Sequence, residues 1–301
     1  MYRNFAVLAA VAVGLAAASL SPGPAVAADG FPVTLRSPAG KVTIRKQPKR
    51  IVSLSPTATE TLFAIGAGRQ VVAVDDQSNY PRRAPRTRLS GFTPNAEAVA
   101  GYRPDLVIVH FDANRIVAAL RRLGIPVLIQ PPGRDLPAAY AQMHQLGLAT
   151  GRRAGARTLV ARTRTRIARL IAASRRRASG LSVYHEVSPD LYAAASRTFA
   201  GSVYRLFGLR NIADRADTGS GFPKLSGEYV IAENPSLVVL ADTTCCGQSR
   251  ATVAARPGWQ QIRAVRNGSI VRLDDSIASR WGPRIVDFVR AIAWALTTLR
   301  R

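Results

Sequence analysis

Cysteine is almost missing from this 301-residue chain: the only two, Cys245 and Cys246, are neighbours. Two adjacent thiols are a poor start for a metal site. Histidine is scarce too, with His110, His144 and His185 the whole complement. Three, with His144 on an expected helix, make a poor ligand set for a bare metal ion. No Gly-x-Ser-x-Gly elbow, His-Glu-x-x-His helix or phosphate loop occurs, so a hydrolase would have no nucleophile constellation. His185-Glu186 is no exception, because it falls in an expected strand. Gly66-Ala67-Gly68 is no dinucleotide fingerprint either: it ends a helix and lacks the third Gly. The chain reads as a non-enzyme.

Acidic residues are few, 18 against 42 basic ones, and only four of the basic residues are Lys. A net charge of +24 suits nucleic acid, an anionic surface or an anionic ligand. Aromatics are not interleaved with the Arg-rich stretch as stacking platforms. Residues 1–28 point the same way: Arg3, a short apolar run from Phe5 to Leu20, a Pro/Gly break, then Ala25-Val26-Ala27. That is a secretory signal peptide and not a membrane span. An exported protein has no nucleic-acid partner to meet. With no Cys before Cys245, the mature chain is expected to be periplasmic or extracytoplasmic without a lipid-modified N-terminal Cys.

What is present is a 47% hydrophobic composition, which excludes disorder, and one long Pro-free stretch, Arg152 to Arg177. Its apolar residues recur at helical spacing (Ala156, Leu159, Val160, Ile167, Leu170, Ile171) with Arg between them. As a helix it would span about 39 Å, enough to cross a small domain. Similar sequences flank it. Pro94–Val109 (PNAEAVAGYRPDLVIV) aligns without a gap to Leu225–Leu240 (LSGEYVIAENPSLVVL), matching Glu97 with Glu228, Val99 with Val230 and Pro104 with Pro235. Each unit opens on a capping residue, Asn95 or Ser226, and ends in a β-branched run suited to a strand buried on both faces. This predicts two Rossmann-like α/β lobes, 29–150 and 179–301, bridged by a single long helix at 151–178, with a ligand cleft between them.

Along the chain, Arg50–Leu54 reads as the first strand. It leads into Thr57 and Glu60 at capping-box spacing and a helix from Thr61 to Ile65. Ligands in open α/β sheets gather at the carboxyl ends of strands. That nominates Ser55, Asp75, Tyr80, Phe92, His110 and Phe111 on one wall, and His185 with the late Arg280-Trp281 loop on the other. Arg280 offers paired hydrogen bonds to an anionic ligand. Pro283 to Leu299 is expected to be an amphipathic closing helix. Cys245 and Cys246 should oxidise in an exported protein. Adjacent Cα atoms lie closer than a relaxed disulfide prefers, so a vicinal disulfide stiffening the loop stands beside a free pair or a link to a partner.

The ordered set RIVSLSPTATETLFAIGAG, SNYP, the two repeat units, RPGWQQIRAVRNG and SRWGPRIV resembles the iron-siderophore/cobalamin class of ABC-importer substrate-binding proteins, the helical-backbone metal receptor superfamily. The resemblance covers nearly the whole mature chain. It is strongest to actinobacterial iron-complex binders, through GFTPN, ADTTCCGQ and ASRWGPR. It implies a monomer holding a ferric-siderophore, haem or cobalamin between its lobes, with iron present only as part of the ligand and no resident cofactor. Aromatics at Tyr80, Phe92 and Phe222 would pack the ligand, and His110, Tyr184 or His185 would reach a haem iron. Glu97 and Glu228 would contact Arg pockets on the ABC permease.

Overall fold

The computed structural model describes residues 30–299, so the expected signal peptide at 1–28 lies outside the described residues. The chain opens with an antiparallel hairpin that the sequence reading did not anticipate, β1 (Val33–Ser37) and β2 (Gly40–Ile44). Its alternating burial turns Val33, Leu35, Val42 and Ile44 onto the first lobe.

The first lobe is a four-stranded parallel sheet of β3 (Ile51–Leu54), β4 (Val71–Val74), β5 (Leu106–Val109) and β6 (Val127–Ile129), in the order β4-β3-β5-β6. The second contains β7 (Ser182–Glu186), β8 (Arg210–Asn211), β9 (Leu237–Leu240) and β10 (Ile270–Arg272), again parallel, in the order β8-β7-β9-β10. Counted within its own lobe, each sheet runs second-first-third-fourth, so the repeated letters are a repeated topology. Both repeat units also place a left-handed residue before the shared proline, Arg103 (φ 49°) and Asn234 (φ 43°). Their helices, Ala96–Ala100 and Gly227–Glu233, are capped by Asn95 and Ser226, whose side-chain oxygens accept from Ala98 and Tyr229 backbone N–H at 2.9 and 3.1 Å. β3, β5, β7 and β9 are buried at every position, as parallel strands covered on both faces must be.

The bridging helix is Arg153–Ser174, followed by a 3₁₀ turn at Arg175–Ala178. It changes allegiance along its length: Ala156 packs in the first lobe's core, Val160 and Ile167 in the second's, and Leu159 touches both. Each fully buried aliphatic side chain of this kind stabilises by roughly 1.5–3 kcal/mol. Gly155 is needed here, because a Cβ would run into the Ile65 carbonyl. The closing helix, Ile285–Thr298, packs along the bridge and starts later than its sequence suggests, with Pro283 before its first turn.

One capping expectation fails. The first long helix is Pro56–Ala64, with Ser55 as N-cap accepting from Ala58 N–H at 3.3 Å. Pro56 presets the backbone at the first helical position, which leaves Thr57 inside the helix and frees Glu60 for another use. Cys245 and Cys246 are joined in a disulfide, and Asp275 accepts from the Thr244 and Cys245 backbone N–H groups at 2.9 and 2.7 Å beneath it. Among the described residues no helix is long and apolar enough to cross a membrane.

Candidate functional site

The strand order puts a topological switch between β3 and β5 in the first lobe and between β7 and β9 in the second, the places where open α/β sheets bind ligands. In the first lobe His110 bridges that switch. Its Nδ1 lies 3.1 Å from the Leu54 carbonyl oxygen, which can only accept, so Nδ1 carries the proton and Nε2 keeps a lone pair. Burial pushes the His110 pKa down, holding the ring neutral. Phe111 stands edge-on to it at 4.1 Å between centroids and Phe92 at 5.5 Å. Phe92 is 64% exposed and Phe111 39%, so an apolar rim surrounds a neutral imidazole. Gly91 lets the loop settle: a Cβ there would meet an Asp75 carboxylate oxygen at 2.7 Å and His110 Cε1 at 3.3 Å. Asp75, at the end of β4, is buried with one oxygen unpartnered by protein, and burial raises its pKa to about 6. Ser55 serves its helix as a cap.

The second lobe corrects two expectations. Tyr184 is fully buried and its hydroxyl donates to Glu186 Oε2 at 3.0 Å. His185 is buried against Phe288 and hydrogen-bonded to the Tyr204 hydroxyl, and burial drives its pKa down to about 4. Both side chains belong to the core and neither reaches the cleft. What occupies the switch instead is Glu186 beside Asp242, with Arg256 gripping both oxygens of Glu186. Phe222 is exposed. Beside it the structure adds Tyr192 and Lys224: the two residues form an isolated antiparallel bridge, and the Lys224 ammonium lies 5.8 Å from the Tyr192 ring. Tyr192 follows a turn with Leu191 in the left-handed region, which an apolar residue seldom signals. Lys224 was legible only as one of four lysines, directly after Phe222-Pro223.

Arg280 is also corrected. It is buried, and its guanidinium donates to Glu60 Oε1 at 2.8 Å, Asn79 Oδ1 at 2.8 Å and the Gln77 carbonyl at 2.9 Å. Arg284 joins it, donating to both Glu60 oxygens at 2.6 and 3.0 Å while lying over the Tyr80 ring at 4.6 Å. Glu60 belongs to the first lobe and both arginines to the second, so these residues clamp the lobes together and commit three of the five Arg280 N–H donors to the protein. Trp281 donates to Gln142 Oε1 at 2.7 Å, across the same junction. The structure therefore groups Phe92, His110 and Phe111 on one rim, gives Phe222 new neighbours, and sets Tyr80 against the clamp. His144 is exposed on its helix. Among the described residues no three metal-ligating side chains gather.

Glu97 and Glu228 are exposed in the first turns of their equivalent helices, and neither belongs to an ion pair among the described residues. The Glu228 carboxyl is held below its usual range by its own backbone N–H and by Ser226.

Residues 51–277 match the periplasmic binding protein family. An uncharacterised ABC transporter substrate-binding lipoprotein of Bacillus subtilis strain 168 is 31% identical over 87% of this chain and 85% of its own. Its name as a lipoprotein stands against the expectation of a mature chain without a lipid-modified Cys. A cobalamin-binding protein of Halobacterium salinarum is 31% identical over 95% of this chain and 83% of its own. The apo form of a periplasmic haem-binding protein from Roseiflexus sp. RS-1 superposes with a TM-score of 0.72 at 26% identity, over 83% of this chain and 98% of its own. The chain belongs to the periplasmic binding protein family and is a substrate-binding protein of an ABC transporter, not an enzyme.

Proposed function

We propose that this protein captures an iron complex, a ferric-siderophore or haem, between its lobes and delivers it to a membrane permease as a monomer, with iron carried only inside the ligand. The Phe92–His110–Phe111 rim carries the reading. Exposed rings offer faces and edges to a flat or aromatic body, and the neutral His110 offers a nitrogen lone pair that suits an iron centre. The basic chain and the exposed Lys224 favour an anionic ligand. Cobalamin is the second reading, favoured by the Halobacterium salinarum relative, which is named for it and matches 95% of this chain.

The ligands are coloured, so one experiment separates the readings. Mature protein is mixed with ferric-siderophores, haem or cobalamin, desalted, and its visible spectrum recorded. Retention of a siderophore or haem, with cobalamin washing through, supports the iron reading; retention of cobalamin alone replaces it. For haem, His110→Ala is expected to shift the Soret band and weaken binding by about tenfold or more, a loss of about 1.4 kcal/mol per decade.

Delivery is assigned to Glu97 and Glu228. Each also complements its helix dipole, worth only about 0.3–1 kcal/mol, so replacement leaves the fold intact. Glu97→Arg with Glu228→Arg is expected to abolish uptake in cells while ligand affinity changes by less than about twofold, because opposed charge governs recognition of the permease and not of the ligand. Uptake at the wild-type rate would remove both residues from the transport contact.

A further inference from the structure

A second cavity between the lobes stands apart from the switch-point rims. It holds about 590 Å³, and its walls come from the first lobe, the bridging helix and the start of the closing helix. Its charges do not balance. Glu60 is committed to Arg280 and Arg284, and Asp287 pairs with Arg290 at 2.7 Å. Arg83, Arg162 and Arg166 also line it, all exposed and none in an ion pair among the described residues. Arg83 is placed over the Phe63 ring at 5.4 Å from its centroid. Arg162 and Arg166 lie one turn apart on one face of the bridge, an arrangement in which like charges destabilise a helix. No Asp or Glu occurs anywhere in residues 150–178 to relieve them.

We propose that this cavity binds a phosphate-class oxyanion, either free in solution or presented as a phospholipid headgroup. Guanidinium forks match the oxygens of such an anion by paired, charge-assisted hydrogen bonds. Three of them, from two parts of the chain, line one concave surface together with Phe63, Leu159 and Pro283. The anion supplies the countercharge that the bridge lacks. Because both lobes and the bridge form the walls, its binding also ties the lobes at the angle set by the Glu60 clamp. The inference is independent of which ligand fills the cleft.

The test uses the mature protein and two double variants with the same charge change. R162E/R166E alters the cavity; R157E/R169E alters exposed arginines of the same helix outside it. Inorganic pyrophosphate is titrated calorimetrically at low ionic strength, and vesicles of phosphatidylglycerol in phosphatidylcholine are co-sedimented against phosphatidylcholine alone. The expected result is saturable binding in at least one arm, weakened about tenfold or more by R162E/R166E and by a clearly smaller factor by R157E/R169E, since only the arginines that line the cavity can give the anion charge-assisted hydrogen bonds. The pyrophosphate arm marks a free anion as the source, and the phosphatidylglycerol arm acting alone marks a headgroup. Equal weakening in both variants would reduce the effect to net charge and overturn the site, as would saturable binding in neither arm.

Discussion

Glu60→Ala is expected to lower the thermal midpoint by on the order of ten degrees and to weaken ligand binding with it. Glu60 is 2% exposed and accepts three hydrogen bonds from Arg280 and Arg284, whose side chains are themselves mostly buried. Deleting one partner of a buried ion pair leaves the other charge uncompensated and costs about 3–5 kcal/mol. In a chain of this size each kcal/mol moves the midpoint by about 2–4 °C. The pair also joins parts of the chain 220 residues apart, so its loss falls on the angle between the lobes more than on either core. Calorimetry is the measurement: a wild-type transition that splits in the variant would show the lobes melting separately, where single two-state behaviour no longer holds. Arg290→Ala is the internal control, because the exposed Asp287–Arg290 pair should contribute no more than about 1 kcal/mol. If Glu60→Ala melts like Arg290→Ala, the clamp does not set the lobe angle.

That clamp was not legible in the sequence. Glu60 stands three residues after Thr57, and local grammar favours a capping box over a partner at the far end of the chain; only the fold brings Arg280 and Arg284 to it. Arg280 misled for a related reason, since a basic residue in a late loop looks available, and only the fold shows it buried against Glu60. The bridge and the repeat were legible because their signals are local: 3.6-residue periodicity across Ala156, Val160 and Ile167, and caps at Asn95 and Ser226 with Glu97 and Glu228 two places on. Tyr184 and His185 mark the boundary between the two cases. A parallel strand buried on both faces lacks the period-2 alternation that reveals which side chains face out. Nothing in Ser182–Glu186 therefore tells a cleft histidine from one hydrogen-bonded to Tyr204. His110 read correctly as a strand-end residue, but its neutral state depends on the Leu54 carbonyl 56 residues away, which no local pattern records.

Arg256→Met should destabilise the second lobe strongly, and more at pH 8 than at pH 5. Glu186 and Asp242 are both fully buried, and Arg256 neutralises only one negative charge through its paired contact with Glu186. Neither Asp242 oxygen has a hydrogen-bond donor from the protein. Burial and then the neighbouring Glu186 raise the Asp242 pKa to about 7, because two carboxylates at one site cannot both ionise cheaply. Asp242 therefore keeps its proton well above the usual carboxylate range. The sign follows from linkage. The folded state binds a proton that an unfolded Asp242 releases near its ordinary value of 3.8, so stability from this group is greatest in acid and declines as pH rises from about 4 to 7. Removing Arg256 strips Glu186 of its ion-pair partner at a cost of about 3–5 kcal/mol, and acid offsets part of the loss because Asp242 is then protonated and uncharged. Asp242→Asn should do the reverse, flattening the stability profile between pH 4 and 7 and leaving the protein more stable than wild type at pH 8. Denaturant midpoints of the three proteins across that range are the check. An Arg256→Met loss that is constant with pH, or an Asn variant that keeps the wild-type slope, would mean that Asp242 is ionised throughout that range and that burial does not hold its proton in the second lobe's switch point.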